Sequence, residues 1–123
     1  MTSTLATRIA ATMGLIAVAL GAFGAHGLKD LLIQNGTIDV WEKAVFYHFI
    51  HAVMLFVLAG RQPFSKVTWW SFFIGIILFS GSLYLLAVTN VRWLGAITPF
   101  GGVSFLIGWG CLAFRPTCSG KTS

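Results

Sequence analysis

The sequence predicts an all-α integral membrane protein, a bundle of four membrane-spanning helices. Of 123 residues, 57% are hydrophobic and only 9% are charged, whereas about 25% are charged in an ordinary soluble domain. Four runs lack Asp, Glu, Lys and Arg, and each is near the ~17–25 residues that cross a hydrocarbon core of about 30 Å. We therefore expect one transmembrane domain over residues 1–123, with spans at about 9–27, 40–60, 67–90 and 93–114.

The first span has the pattern of a packing helix. Small residues recur along it every three or four positions, which makes a flat stripe that a neighbouring helix can approach closely. They are Ala10, Gly14, Ala17, Gly21 and Ala25, and Gly24 lies beside them. The same stretch resembles a secretory signal peptide. Because cleavage would leave three spans and move the new terminus to the other side, we expect the segment to be retained.

The connection over residues 28–40 predicts a short interfacial helix between spans one and two. It places leucines and an isoleucine beside charges and stops at Asn35-Gly36, a signal that ends helices. Asp39 followed three residues later by Glu42 resembles a capping box, so the second span is predicted to start near Val40. Both carboxylates are then part of a helix start.

The third and fourth spans are each interrupted by polar and small residues. The loop over 61–66 between spans two and three is short, which predicts that these helices are antiparallel neighbours. Pro99 has no amide hydrogen, so a kink or local unwinding is expected there. The interruptions are Ser80, Gly81, Ser82 and Tyr84 in the third span and Thr98, Pro99, Gly101 and Gly102 in the fourth.

Polar side chains from all four spans are predicted to meet in one outward-facing layer, called the polar layer below. His48 and His51 are three residues apart and share one helix face. We expect His51 to be the histidine on which the layer depends, with Ser80 or Ser82 as its partner. The full set is His26, His48, His51, Ser80, Ser82, Tyr84 and Thr98.

Two interpretations of the polar layer stay open at this stage. The first is hydrogen bonding between helices, because hydrocarbon offers such groups no other partner. The second is a small cavity in which His48 and His51 bind a ligand, a proton or a metal of unknown identity. Haem would need a helix pairing that the sequence does not establish, so no cofactor is expected.

The net charge of +5 is explained by membrane topology. The basic residues are scattered singly at the ends of the spans, and no basic cluster is interleaved with aromatic residues, so we expect no nucleic-acid partner. Five basic residues fall on the side of the termini and three on the other side, which predicts that both termini are cytoplasmic. Cys111 and Cys118 then face a reducing compartment as free thiols.

The spans contain no nucleophile elbow, phosphate loop, zinc-binding helix or paired carboxylates, so nothing in the sequence argues for an enzyme. Four motif blocks, one in each span, do resemble the YgdD-like small membrane proteins. The blocks are Gly21 to Gly27, Tyr47 to Ala52, Phe79 to Tyr84 and Thr98 to Trp109.

That resemblance implies a four-helix protein of the inner membrane with no settled activity. It assigns characteristic positions to ten residues, namely His26, His51, Ser80, Gly81, Ser82, Tyr84, Thr98, Pro99, Gly101 and Gly102. His48 stands where relatives can carry another polar residue such as glutamine, which argues against a strict two-histidine metal site.

From the sequence we expect a small interaction or accessory protein that lies in the lipid bilayer. It would pack as a homo-oligomer or within a larger membrane protein complex. The alternative is a small transporter, or a protein that binds a ligand or metal, using the polar layer around His51.

Overall fold

A computed structural model describes residues 2–114 of the chain, and every regular element within them is a helix. The elements are α1 (Ser3–Ala25), α2 (Lys29–Asn35), α3 (Ile38–Ala59), α4 (Lys66–Gly75), a π-helical segment (Ile76–Ser80), α5 (Gly81–Thr89), a 3-10 segment (Arg92–Ala96) and α6 (Thr98–Phe114). Cys118 and the basic residues Arg115 and Lys121 lie outside the described residues.

Four helical stretches are long and apolar enough to cross a membrane, which confirms the predicted fold class. The third stretch joins α4, the π segment and α5, and the fourth joins the 3-10 segment and α6. The stretches are Ser3–Ala25, Ile38–Ala59, Lys66–Thr89 and Arg92–Phe114.

The first helix begins about six residues earlier than the apolar run suggests. The side chain of Thr2 accepts a hydrogen bond from the Leu5 amide at 3.1 Å, which caps the helix at Ser3. Arg8 therefore lies within α1 as an exposed residue. A single exposed charge near a helix end can reach the interface, so counting uncharged residues underestimates the span.

The predicted capping box at Asp39 and Glu42 does not form. The second span begins at Ile38, with Thr37 as its cap residue, and Asp39 lies within the first helical turn. The Thr37 hydroxyl donates instead to the Ala87 carbonyl at 2.7 Å. This tertiary hydrogen bond fixes where α3 starts.

The predicted short helix is present as α2, which ends at Gly36 with a positive φ of 67°. The Asn35 side-chain amide donates to the carbonyls of Ala87 and Val88 at 3.0 and 3.1 Å. These are carbonyls of the last turn of α5, which lack partners within their own helix. The α2 helix is thus fastened to the end of the third span, and this end of the bundle is called the α2 end below.

Pro99 begins a helix rather than bending one. The fourth stretch breaks at Ile97, after the 3-10 segment, and Pro99 lies in the first turn of α6. A missing amide hydrogen has little cost there, because first-turn amides have no partner within the helix. Local unwinding is therefore found just before Pro99.

Consecutive spans are neighbours in the bundle. The first helix packs against α3 and α2, α3 packs against all parts of the third stretch, and α6 packs against α4 and the π segment. One buried cluster joins α1, α3, α4 and α6, and it includes Leu55, Trp69, Phe72 and Phe105. A second, smaller cluster at the α2 end consists of Leu32, Trp41 and Ala87.

Candidate functional site

The structure divides the predicted polar layer into separate hydrogen-bonded groups. His48 pairs with Tyr84, Ser82 pairs with Thr98, and Ser80 bonds to the backbone of α3. His51 lies in a further group with Trp109. His26 is not brought to the others, because it ends α1 as an exposed residue.

Both ring nitrogens of His51 are hydrogen-bonded within the protein. Nδ1 lies 2.7 Å from the carbonyl oxygen of Tyr47, one turn earlier in α3. Nε2 lies 3.0 Å from Nε1 of Trp109, on α6. Because an indole N–H can only donate, Nε2 accepts, and the proton of the neutral ring is on Nδ1, which donates to the carbonyl. The ring plane stacks on Phe105, with 3.7 Å between ring centroids and 10° between planes.

The predicted partner of His51, a hydroxyl of Ser80 or Ser82, was wrong. Ser80 donates to the Ala44 carbonyl at 2.7 Å. Ala44 precedes His51 by seven residues, which is about 10 Å along a helix. Ser80 therefore lies closer to the α2 end than His51 does. Sequence reasoning missed Trp109, although an indole N–H within an apolar span needs an acceptor and the motif block contained this residue.

His48 is satisfied on one side only. Its Nδ1 lies 2.8 Å from the Tyr84 hydroxyl. Its Nε2 is buried without a hydrogen-bond partner among the described residues. If Tyr84 donates to Nδ1, only the Nε2–H of His48 has no partner. If Nδ1–H donates to Tyr84 instead, both Nε2 and the hydroxyl hydrogen of Tyr84 have no partner. We therefore assign Tyr84 as the donor. The Tyr84 ring also lies 4.8 Å from that of Trp41, between centroids.

The hydroxyl pair of Ser82 and Thr98 joins α5 to the start of α6. The two oxygens are 2.6 Å apart, and the Ser82 hydroxyl also lies 3.0 Å from the Phe79 carbonyl. A third hydroxyl, on Ser104, donates to the Ser71 carbonyl at 2.6 Å and ties α6 to α4. Each of these hydroxyls thus links two spans or completes a helical turn.

The glycines predicted to pack fall into three groups. Gly101 and Gly24 lie in close contacts, because a Cβ on Gly101 would overlap the backbone of Phe79 and a Cβ on Gly24 would overlap the Trp41 ring. A Cβ on Gly21 would meet Val45 at 3.4 Å, and one on Gly102 would meet Phe79 at 3.9 Å. Apart from the neighbouring backbone of its own helix, no described atom lies within 4 Å of a Cβ built on Gly14 or Gly81.

Two glycines outside the predicted packing set also lie in close contacts. A Cβ on Gly75 would overlap the Phe105 ring, and one on Gly108 would lie 2.5 Å from the Phe72 ring. Each glycine therefore receives an aromatic ring from the facing helix. These contacts hold α4 and α6 close together, beside the histidine–tryptophan group.

Metal ligands do not gather in the part of the chain that the structure describes. Within residues 2–114, histidine, cysteine, aspartate and glutamate form no group of three or more that could hold a metal ion. Cys111 is a half-buried free cysteine in α6. The arrangement of the polar layer is that of groups which bond the spans to one another.

Residues 20–102 match the model of a family described as "Protein of unknown function (DUF423)". The chain is 50% identical over 105 residues to a "UPF0382 membrane protein" of Staphylococcus epidermidis, which covers 82% of this chain and 85% of the relative. It is 50% identical over 107 residues to the "UPF0382 membrane protein YwdK" of Bacillus subtilis, covering 82% and 86% of the two chains. No solved structure matches the chain. With four stretches that can span a membrane and relatives named as membrane proteins, this integral membrane protein belongs to the DUF423 family.

Proposed function

We propose that the protein acts as an interaction or accessory protein, which packs in the cell membrane with copies of itself or with a larger membrane complex. The observation that carries this proposal is the position of Gly14 and Gly81. A Cβ on either glycine would meet no described atom within 4 Å. Small residues in membrane helices mark places where a second helix approaches closely. Both glycines are half-buried, and no helix among the described residues fills the space directly beside them, so this space is available to another protein.

The hydrogen bonding of the polar layer supports the same proposal. Both ring nitrogens of His51 already have protein partners, and so do the hydroxyls of Ser80 and Ser82. A substrate would have to displace these bonds within a span, where water cannot replace them. The layer is therefore better suited to holding the spans together than to binding a solute.

The test is the assembly state of the purified full-length protein in a mild detergent, measured by light scattering and by mass spectrometry of co-purifying proteins. We expect an oligomer or a defined complex that Gly14→Leu dissociates while the thermal stability of the protomer is kept. Ala19→Leu is the matched control, because Ala19 is an exposed small residue on a different face of α1. A wild-type monomer without partners would contradict the proposal, as would equal effects of the two variants.

The rival function is a small transporter or a protein that binds a ligand or metal at the polar layer. One observation favours it, namely the buried and unpaired Nε2 of His48. This places the rival site at His48 instead of His51. A solute or metal that co-purifies with the wild type and is lost in His48→Gln, but retained in His51→Phe, would favour the rival.

We further propose that both termini are cytoplasmic and that the amino-terminal segment is retained. The relatives come from Staphylococcus and Bacillus, which supports the cell membrane as the location, corresponding to the inner membrane where a cell has two. The five-to-three distribution of basic residues supports this orientation. The motif blocks in the four spans support membership of the YgdD-like group, and we propose no cofactor and no nucleic-acid partner.

A further inference from the structure

A groove runs along the outside of the bundle between α1 and α3, from the α2 end towards the middle of the membrane. Its volume is about 710 Å³, which is within the 300–1,000 Å³ typical of ligand sites. It is called the α1/α3 groove below. Its lining is mostly apolar and includes Val18, Gly21, Ala22, Trp41, Phe49 and Ile50.

The small residues of α1 create the α1/α3 groove. Towards the other end of the bundle, α1 and α3 close tightly on each other, and Ala6, Ala10 and Ala59 are fully or almost fully buried. Near the α2 end, the Trp41 ring fills the space beside Gly24, and its indole N–H donates to the Leu20 carbonyl at 2.9 Å. The ring is 4% exposed. It therefore forms a fixed floor, above which the small side chains of α1 leave room.

The α1/α3 groove is shorter than the hydrocarbon core of a bilayer is thick. On α3 its lining extends from Ile38 to Ile50, which is about 18 Å at 1.5 Å per residue. The hydrocarbon core of a bilayer is about 30 Å thick. A groove of about half that length matches a molecule that occupies one leaflet.

The charge at the mouth of the α1/α3 groove indicates the head group of its ligand. Glu42 is the one charged residue among the described residues that line the α1/α3 groove. It is exposed and lies one turn from the start of α3, so it is at the level of the head groups. Lys43 follows it in the chain but is not part of the lining. A carboxylate at the mouth of an apolar groove complements a cationic head group attached to an apolar chain.

We propose that the α1/α3 groove binds a membrane amphiphile with a primary ammonium head group, whose chain lies in the groove and whose N–H groups donate to the Glu42 carboxylate. This inference does not depend on the proposed role in protein interaction, which concerns Gly14 and Gly81. It assigns a binding site and a ligand class to a surface separate from the polar layer.

The experiment measures binding of 6,7-dibromooctadecylamine to the full-length protein in phosphatidylcholine nanodiscs. Bromine atoms in the chain quench nearby tryptophan fluorescence, and Trp41 lies in the groove. We expect saturable quenching that unlabelled hexadecylamine reverses and hexadecyl sulfate does not. Exposed tryptophans such as Trp93 are also quenched by probe in the surrounding lipid. Quenching without a saturable component beyond that background, or equal competition by the sulfate, would overturn the proposal.

Two pairs of variants locate the site. Glu42→Gln keeps the shape and removes the charge, and we expect the dissociation constant to rise about tenfold, whereas Asp30→Asn, on an exposed residue of α2 outside the lining, should change it much less. Ala22→Phe fills the groove and should abolish saturable binding, whereas Ala19→Phe, on the same helix but outside the lining, should not. Unchanged binding in Glu42→Gln or Ala22→Phe would contradict the assignment.

Discussion

His51 links α3 to α6 through its hydrogen bond with Trp109 and its stack on Phe105. His51→Ala removes a ring stacked on Phe105 and leaves the Trp109 N–H without its acceptor. We expect this change to lower the free energy of unfolding by about 3 kcal/mol, through the cavity and the lost hydrogen bond. His48→Gln keeps an amide that can bond to Tyr84 and should have an effect of about 1 kcal/mol. Equilibrium unfolding in mixed micelles gives both values.

A double-mutant cycle separates the hydrogen bond from the packing. His51→Phe and Trp109→Phe retain aromatic volume while each removes one partner, so their coupling reports the bond between the two side chains. We expect about 1 kcal/mol, within the range measured for hydrogen bonds between membrane helices. A coupling near zero would show that the bond between His51 and Trp109 contributes no net stability. A larger effect of His48→Gln than of His51→Ala would show that the layer is organised around His48.

Individual residues were predicted unequally well from the sequence. That polar side chains within the spans would bond to one another follows from the absence of water in hydrocarbon, and most of the predicted set does so. Which atoms pair depends on the register between helices. A shift of one helical turn decides whether a ring nitrogen meets a serine or a tryptophan, and no sequence pattern fixes that shift. His26 was placed by depth alone, and depth does not bring an exposed helix end into the bundle.

At the scale of the elements, the contact between α6 and the π segment depends on one glycine. Gly101→Ala would drive a methyl group into the backbone of Phe79, whereas the same change at Gly102 meets an ordinary contact. We expect Gly101→Ala to destabilise the protein by about 2 kcal/mol, because a backbone cannot move aside as a side chain can. Thermal unfolding of the two adjacent variants is the direct comparison, and equal midpoints would contradict the close approach.

The starts of the helices show where local signals stop being sufficient. Asn35-Gly36 ends α2 as predicted, because a left-handed backbone at glycine is a local property. The capping box failed because the cap residue of α3 is set by the bond from Thr37 to α5, far away in the chain. Pro99 was recognised as incompatible with a helix interior, and the chain resolves this by starting a helix there.

For the molecule as a whole, the orientation in the membrane can be tested with two cysteines. In a background with Cys111 and Cys118 changed to serine, Gln34→Cys lies beyond the first span and Gln62→Cys lies between the second and third. Both glutamines are exposed. If the termini are cytoplasmic, an impermeant maleimide labels the first in intact cells and the second only after lysis. The reverse pattern would show that the protein has the opposite orientation.

The global architecture was the most predictable level. Span number follows from composition and from the thickness of the bilayer, and neighbouring spans follow from short loops, so both could be derived without structural information. The α1/α3 groove could not. The groove depends on Trp41 turning towards Gly24. It also depends on α1 and α3 packing less tightly at the α2 end than at the other end of the bundle. Such differences arise from the combined volumes of facing side chains.

The π segment determines which changes in length the third span can tolerate. In it, the Gly81 amide bonds to the Ile76 carbonyl five residues earlier, so the chain carries one residue more than a regular helix would between the same neighbours. Removing Ile77, which is 52% exposed, should restore a regular helix and preserve the Ser82–Thr98 and His48–Tyr84 pairs. Leu85, which is 57% exposed, lies in α5, where the helix has no extra residue. Its removal should rotate the rest of α5 by about 100°. We expect the Ile77 deletion to keep a higher yield and thermal stability than the Leu85 deletion. Ile77 is then the position at which the third span can lose one residue and still fit this bundle.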